Sequence, residues 1–307
     1  MWFLWSQLVV LPLRQLPHVA RRRWPAFAAV WIRQAISCVS YLAEAYLSRP
    51  EPAVSSRSTV AILLSCHRPW NMDLMARVLL KSSCVGKIIV CNNNPDWRVR
   101  RIIKVRHEKL VLIDRPTLTM PGYRFELARQ YVGPSYLAID DDVLLRVKQI
   151  RRLSDGFAER PESPCGTQGA VLIARTRLDD VCVTRARDWP FRRATPQDAT
   201  PDILNGVYMF APAHLETYFR QCQLLAIEDQ ARFGNGEDIV LSHCGASRPR
   251  KIAVGPRLRC MSSGMPGIAI SMRRRDAFFA ERWRIFRALR SQDPKWSCRS
   301  IAGTPRS

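Results

Sequence analysis

Several features are missing from this chain of 307 residues, and each absence narrows its chemistry. Its ten cysteines never form C-x-x-C, and none of its five histidines falls at zinc-ligand spacing, which argues against a zinc module. Lysine is scarce: of 48 basic residues only seven are lysine, and the arginines are spread along the chain where a basic tail would have gathered them. No clean membrane-spanning run occurs, because Met1 to Leu13 is too short and the apolar stretch from Trp24 to Leu47 is interrupted by Arg33. Glycine is absent from Ser65-Cys66-His67-Arg68-Pro69-Trp70, where a phosphate-cradling glycine-rich loop would follow the first predicted strand.

What is present is a globular composition, 47% hydrophobic and 24% charged, with a net charge of +22. Two explanations of that charge stay open at this level. One is an arginine-rich coding bias; the other is an anionic partner such as a nucleoside diphosphate, an anionic lipid surface or nucleic acid. Several cysteines, Cys66 and Cys91 among them, sit in apolar strand-like runs where a free thiol acts as a small hydrophobe, so a reducing compartment is the simpler setting.

The chain divides by composition. Residues 1–47 form an apolar segment with Arg14 and Arg21 to Arg23 in its middle. From Trp24 onward, Arg33, Gln34, Ser37, Ser40 and Glu44 recur at offsets of three and four, which predicts an amphipathic helix that lies on a membrane surface or docks on the protein's own core, with a signal anchor as the third and poorer reading because Arg33 would be costly near the middle of a span. Residues 48–58, with two prolines and four serines, read as a linker, residues 59–290 as the catalytic domain and residues 291–307 as a basic tail.

Within the domain the periodicity alternates. Thr59 to Cys66 and Gly86 to Cys91 are short apolar runs typical of strands buried on both faces, as are Lys109 to Ile113 and Tyr136 to Ile139. Helical spacing occupies Asn71 to Leu80, and Gly122 opens a helix to about Tyr131. Strands alternating with helices predict an α/β fold with a mostly parallel sheet covered by helices, in which ligands sit at the carboxyl ends of the strands.

Two acidic elements fall at such places. Asp140, Asp141 and Asp142 end the fourth strand; adjacent carboxylates repel, so they belong in a solvated turn or around a cation. Four apolar strand residues immediately before them favour the second reading, with a divalent metal clamping a diphosphate. Downstream, Gly234 and Gly236 loosen the backbone before Glu237 and Asp238, which open a helical run to about Cys244. Carboxylates there are ordinary helix-start chemistry, or else Asp238 is a base or anchor for an acceptor hydroxyl. Between the two elements Ile203 to Phe210 is one apolar run, in which Gly206 permits close approach of an acceptor or a strand bulge.

From about Thr59 to Leu289 these pieces, in this order, resemble GT-A glycosyltransferases, most closely the exostosin-type retaining enzymes that use UDP-sugars. Arg68 after the first strand resembles that family's arginine at the uridine-binding end, and Cys91-Asn92-Asn93 its strand ending in Trp-Asn-Asn. Arg124, 16 residues before Asp140, corresponds to its Asn-Arg arginine, and the triplet to its Asp-Asp-Asp. Gly206 with the aromatics after it resembles the Gly-x-x-Phe-Phe acceptor strand, and Glu237-Asp238-Ile239 the acidic pair. Ser262-Ser263-Gly264 followed by Arg273 to Arg275 and Arg282 resembles the flexible loop that ends in His-Arg, with Arg274 in place of the histidine.

The resemblance implies a GT-A fold and a single catalytic domain in which Asp142 ligates Mn2+ or Mg2+. Arg68, Asn92, Asn93, Arg124, Asp140 and Asp141 would bind the nucleotide-sugar. Gly206 and Glu237 would face the acceptor, Asp238 would lie near the reacting carbon, and Arg275 would contact the departing diphosphate. The expected activity is transfer of a sugar, such as an N-acetylhexosamine, from a UDP-sugar donor to a glycan or lipid-linked acceptor, with inversion and retention both open. Association with a membrane surface through residues 1–47, on the cytoplasmic face, is expected, and no nucleic-acid partner. The competing readings are a nucleotidyltransferase on the same kind of sheet and a non-enzymatic arginine-rich binder of membranes or nucleic acid.

Overall fold

A computed structural model of the protein describes residues 24–52, 58–65, 68–173, 181–256, 258–260 and 275–292. Helix α1 (Trp24–Leu47) precedes β1 (Thr59–Ser65), α2 (Pro69–Lys81), β2 (Val85–Asn92), α3 (Val99–Ile102), β3 (Leu110–Asp114), α4 (Tyr123–Gln130) and β4 (Tyr136–Asp140). There follow β5 (Val143–Leu144), α5 (Val147–Glu159), β6 (Cys165–Gly166), β7 (Gly169–Leu172), β8 (Phe191–Arg193), β9 (Ile203–Leu204) and β10 (Val207–Phe210). The described chain closes with α6 (Pro212–Leu224), α7 (Glu237–Ser242), β11 (Arg250–Lys251), β12 (Leu258–Arg259) and α8 (Arg275–Gln292).

The α/β architecture expected from the sequence is the one observed. Seven strands form one sheet in the order β11-β6-β10-β4-β1-β2-β3. β1 lies at its centre, with Ile62 beside Ile89 of β2 and Ala138 of β4, both in parallel register. Every residue of β1 is buried, as its continuous apolar run requires when both faces are covered. Side chains alternate between the faces. Ala61 and Leu63 join a core with α1, α2 and α5, whereas Val60, Ile62 and Leu64 join one with α4, α6, α7 and α8.

One strand breaks the parallel pattern. β10 runs antiparallel to both β4 and β6, which brings Val207 opposite Ile139 and the start of β10 beside the end of β4. The expected single run from Ile203 to Phe210 is in fact two strands in different sheets, since β9 pairs with β7. The break falls at Gly206, whose φ of +74° is left-handed, a conformation that glycine adopts at little cost. Hydrophobicity alone could not show the division, because both halves are buried.

Glu51, within the expected linker, pairs with Arg151 of α5 at 2.6 Å, and α8 runs on to Gln292. Of the cysteines, the eight described are free and seven of them are buried, Cys182 being the exposed one.

Candidate functional site

The carboxyl edge of the central strands collects both acidic elements, because β4 ends in the triplet and β10, paired against it, starts there. The backbone nitrogen of Asp140 donates to the carbonyl of Gly206 at 2.8 Å, so this turn abuts the triplet directly.

Each of the first two aspartates has an arginine. Arg124 on α4 donates from Nη2 to Asp140 Oδ1 at 2.8 Å, from Nη1 to Tyr208 Oη at 2.9 Å and from Nε to the Pro121 carbonyl at 3.0 Å. With every guanidinium nitrogen engaged and only 5% of its side chain exposed, it is a fixed cation. Arg68, at the turn from β1 into α2, donates from Nη1 to Asp141 Oδ1 at 2.8 Å and from its backbone nitrogen to Oδ2 at 3.2 Å. Two further bonds hold the turn itself. Asn71 Nδ2 donates to the Asp141 carbonyl at 2.6 Å, and the Cys260 backbone nitrogen to the Asp142 carbonyl at 2.9 Å. Burial pushes the Cys260 thiol up to about 12, which keeps it a neutral hydrogen-bonding partner of Asn71.

The crowding of carboxylates has an electrostatic signature. Burial, with Asp142 and Asp141 adding to it, raises Asp140 to about 6 against the opposing pull of Arg124. Since 38% of the Asp140 side chain remains exposed, solvent damps that push.

The second element is held just as tightly. Gly236, with φ +100°, turns the chain into α7 and leaves Glu237 and Asp238 buried at its start. Arg282 of α8 grips Asp238 bidentately, Nη1 to Oδ1 and Nη2 to Oδ2, both at 2.9 Å. Asn205, beside Gly206, offers its amide nitrogen to Asp238 Oδ2 at 3.0 Å, and Ser242 of α7 accepts the Leu204 backbone nitrogen at 2.8 Å. The Glu237 side chain makes no hydrogen bond among the described residues. Burial first, and then the neighbouring Asp238 carboxylate, raise it to about 7, with Arg124 and Arg282 opposing. The field of Arg124 therefore reaches both acidic elements.

Beside Asn205 opens a cavity of about 310 Å³, lined among others by Gln168, Trp189, Phe191 and Arg193. Its aromatic wall continues toward Asp238, since the Arg282 guanidinium lies 5.9 Å from the Trp189 ring centre.

The sequence matches no protein-family model, and no curated protein matches it. Among solved structures, the chain is similar to a CMP:2-keto-3-deoxy-manno-octonic acid synthetase complexed with CTP, at 13% identity and a TM-score of 0.42 over 73% of this chain and 99% of that one. It is also similar to GalNAc-T7 with UDP, GalNAc and Mn2+, at 9% identity and a TM-score of 0.46 over 66% of this chain. The match spans 43% of the GalNAc-T7 chain. Neither likeness is close enough to carry the chemistry of either protein across.

Of the residues singled out from sequence, Arg68, Arg124, Asp140, Asp141, Asp142, Gly206, Glu237 and Asp238 converge on this edge. Asn92 and Asn93 lie at the end of β2, but the Asn92 amide is spent on its own loop, donating to the carbonyls of Asn94 at 2.9 Å and Trp97 at 2.6 Å. Arg275 is exposed at the first position of α8, and the arginine brought to the acidic pair is Arg282, seven residues later. That spacing is roughly 10 Å along the helix. The loop with Ser262 to Gly264, Arg273 and Arg274 lies outside the described residues. Sequence reading missed Asn71, Asn205 and Tyr208 as partners, and took Arg282 only as a landmark. The signal for Asn71 was its place three residues after Arg68, at the start of α2.

The donor set suits a hard divalent cation, being all carboxylate oxygen. Among the described residues no group of three His, Cys, Asp or Glu side chains is arranged to hold a metal. Asp142 would therefore supply at most one of the oxygens that such an ion needs.

Proposed function

We propose that this chain is a glycosyltransferase that takes its sugar from a nucleoside-diphosphate donor, UDP-linked in the first instance, with Asp142 holding Mn2+ or Mg2+. The observation that carries the reading is the meeting of two separate acidic elements, each pinned by a buried arginine, at the carboxyl edge of a mostly parallel sheet. A metal bound there would neutralise charge on the departing diphosphate. The protein's own residues do the rest. Arg68 and Arg124 hold Asp141 and Asp140 in fixed orientations for a nucleotide's hydroxyls. The Ser65 and Thr119 hydroxyls, buried at the same edge without partners among the described residues, are further groups for that ligand.

On the other side, Asp238 is an anchored anion. With both oxygens committed to Arg282, it orients an acceptor hydroxyl, while Glu237 is the neighbouring carboxyl that changes protonation near neutral pH. The Trp189 and Phe191 cavity beside it offers aromatic faces for an acceptor ring. Assignment of Arg275 to the diphosphate is kept as part of the proposal, on the strength of the motif alone.

Titration calorimetry of UDP with and without manganese tests the reading. Binding is expected only with the metal, and Asp142→Asn should remove it while leaving the thermal melt unchanged, because a partly solvated carboxylate at a strand end contributes little to stability. Metal-independent UDP binding by the wild type, or release of pyrophosphate from a nucleoside triphosphate and a free sugar, would overturn it.

A further inference from the structure

Helix α1 presents more than one apolar face. Cys38, Tyr41 and Ala45 are buried in the core shared with α2. Its orientation is fixed by Glu44, whose Oε1 accepts the Val147 backbone nitrogen at 2.7 Å and whose carbonyl accepts Lys81 Nζ at 2.6 Å. With that side committed, Ile32, Ile36, Val39, Ala43 and Tyr46 recur at offsets of three and four along the roughly opposite side. They are left largely exposed, with the Arg77 guanidinium of α2 lying 4.8 Å from the Tyr46 ring centre. Ile32, Ile36, Val39, Tyr46 and Leu47 are exposed by 52%, 65%, 58%, 55% and 81%. Five of the ten large apolar side chains left exposed among the described residues are thus on this one helix. Exposed apolar residues scattered singly are ordinary on any protein, whereas a contiguous row marks a contact surface.

Charge selects the partner. The first acidic residue in the chain is Glu44, which faces inward, while residues 1–43 carry Arg14, Arg21, Arg22, Arg23 and Arg33. An acid-free, arginine-bearing sequence next to an apolar stripe has the charge complementary to anionic headgroups over acyl chains. A second copy would instead bring +22 against +22. No helix among the described residues is long and apolar enough to cross a membrane. We propose that α1 lies along an anionic phospholipid surface, its Ile32-Ile36-Val39-Tyr46 stripe at the headgroup and acyl boundary and Arg33 on lipid phosphates. This surface is independent of the catalytic reading.

Co-sedimentation of the full chain with vesicles of phosphatidylcholine, alone or mixed with phosphatidylglycerol, tests it. The wild type should bind the mixed vesicles, less so in high salt, and Ile36→Glu with Val39→Glu should weaken that binding at least tenfold with the thermal melt unchanged. Equal binding to neutral vesicles, or full vesicle binding by the double variant, would overturn the proposal. So would a lowered melt in the double variant, which would mean that protein covers the stripe, or an association of wild-type copies that the double variant abolishes.

Discussion

Replacing Arg282 by methionine keeps most of the side chain's stem and removes the guanidinium that holds Asp238. Two charge-assisted hydrogen bonds of 2.9 Å would be lost, and an aspartate whose side chain is only 12% exposed would be left without its cation. Removing one partner of a buried pair costs about 3–5 kcal/mol, chiefly because the remaining charge stays desolvated. Unfolding entropy of about 2.1 cal/mol/K per residue converts that into a fall of roughly 5–8 °C in melting temperature for a chain of this length. Adding Asp238→Asn to Arg282→Met should recover much of the loss, since no charge is then stranded. Thermal melts of the wild type, both single variants and the double variant measure this cycle. A loss below about 1 kcal/mol would show the pair to be solvated and the argument from burial wrong.

Two other perturbations probe the same element. Glu237 is raised to about 7, above the ordinary carboxylate value, so the folded state binds the extra proton and stability should fall as pH rises between about 4 and 7. Glu237→Gln should flatten that slope in pH-dependent denaturant unfolding, and an unchanged slope would remove Glu237 as its source. Gly236→Ala places a Cβ at φ +100° and 2.6 Å from Ile285 Cδ1, which should cost roughly 1–2 kcal/mol by urea unfolding and, by shifting Asp238, lower activity as well. Together with the Asp142→Asn titration and the vesicle experiment, these test separately the proposed metal side, the proposed acceptor side and the proposed membrane face.

Local pattern carried much of the fold and part of the site. Continuous apolar runs gave β1, β2 and β4 to within about a residue, since strands buried on both faces leave no polar alternation to misread. The carboxylates after β4 marked the carboxyl edge of the sheet, since polar groups cluster where buried strands emerge. The antiparallel entry of β10 was not legible, because pairing direction depends on which strand a segment meets and not on its own composition. Nor was the split at Gly206, where two buried strands share one apolar run.

The arginines mark the boundary most clearly. A chain with so many of them, spread from end to end, gives no local reason to prefer Arg282 over Arg275, Arg284 or Arg287. On α8 the choice is made by burial, for Arg282 faces the core beside Trp283 and Phe286 and meets Asp238, 44 residues earlier, while Arg275, Arg284 and Arg287 face solvent. The pairs Arg68 with Asp141 and Arg124 with Asp140 likewise join residues 73 and 16 apart. By itself, then, the sequence determined the strands β1 to β4, the helices α1, α2, α4 and α7, and the carboxylates at the ends of β4 and the start of α7. Which cation each carboxylate keeps was decided only by the tertiary structure, because a charge pair gains enough to matter only where folding has removed the water around it.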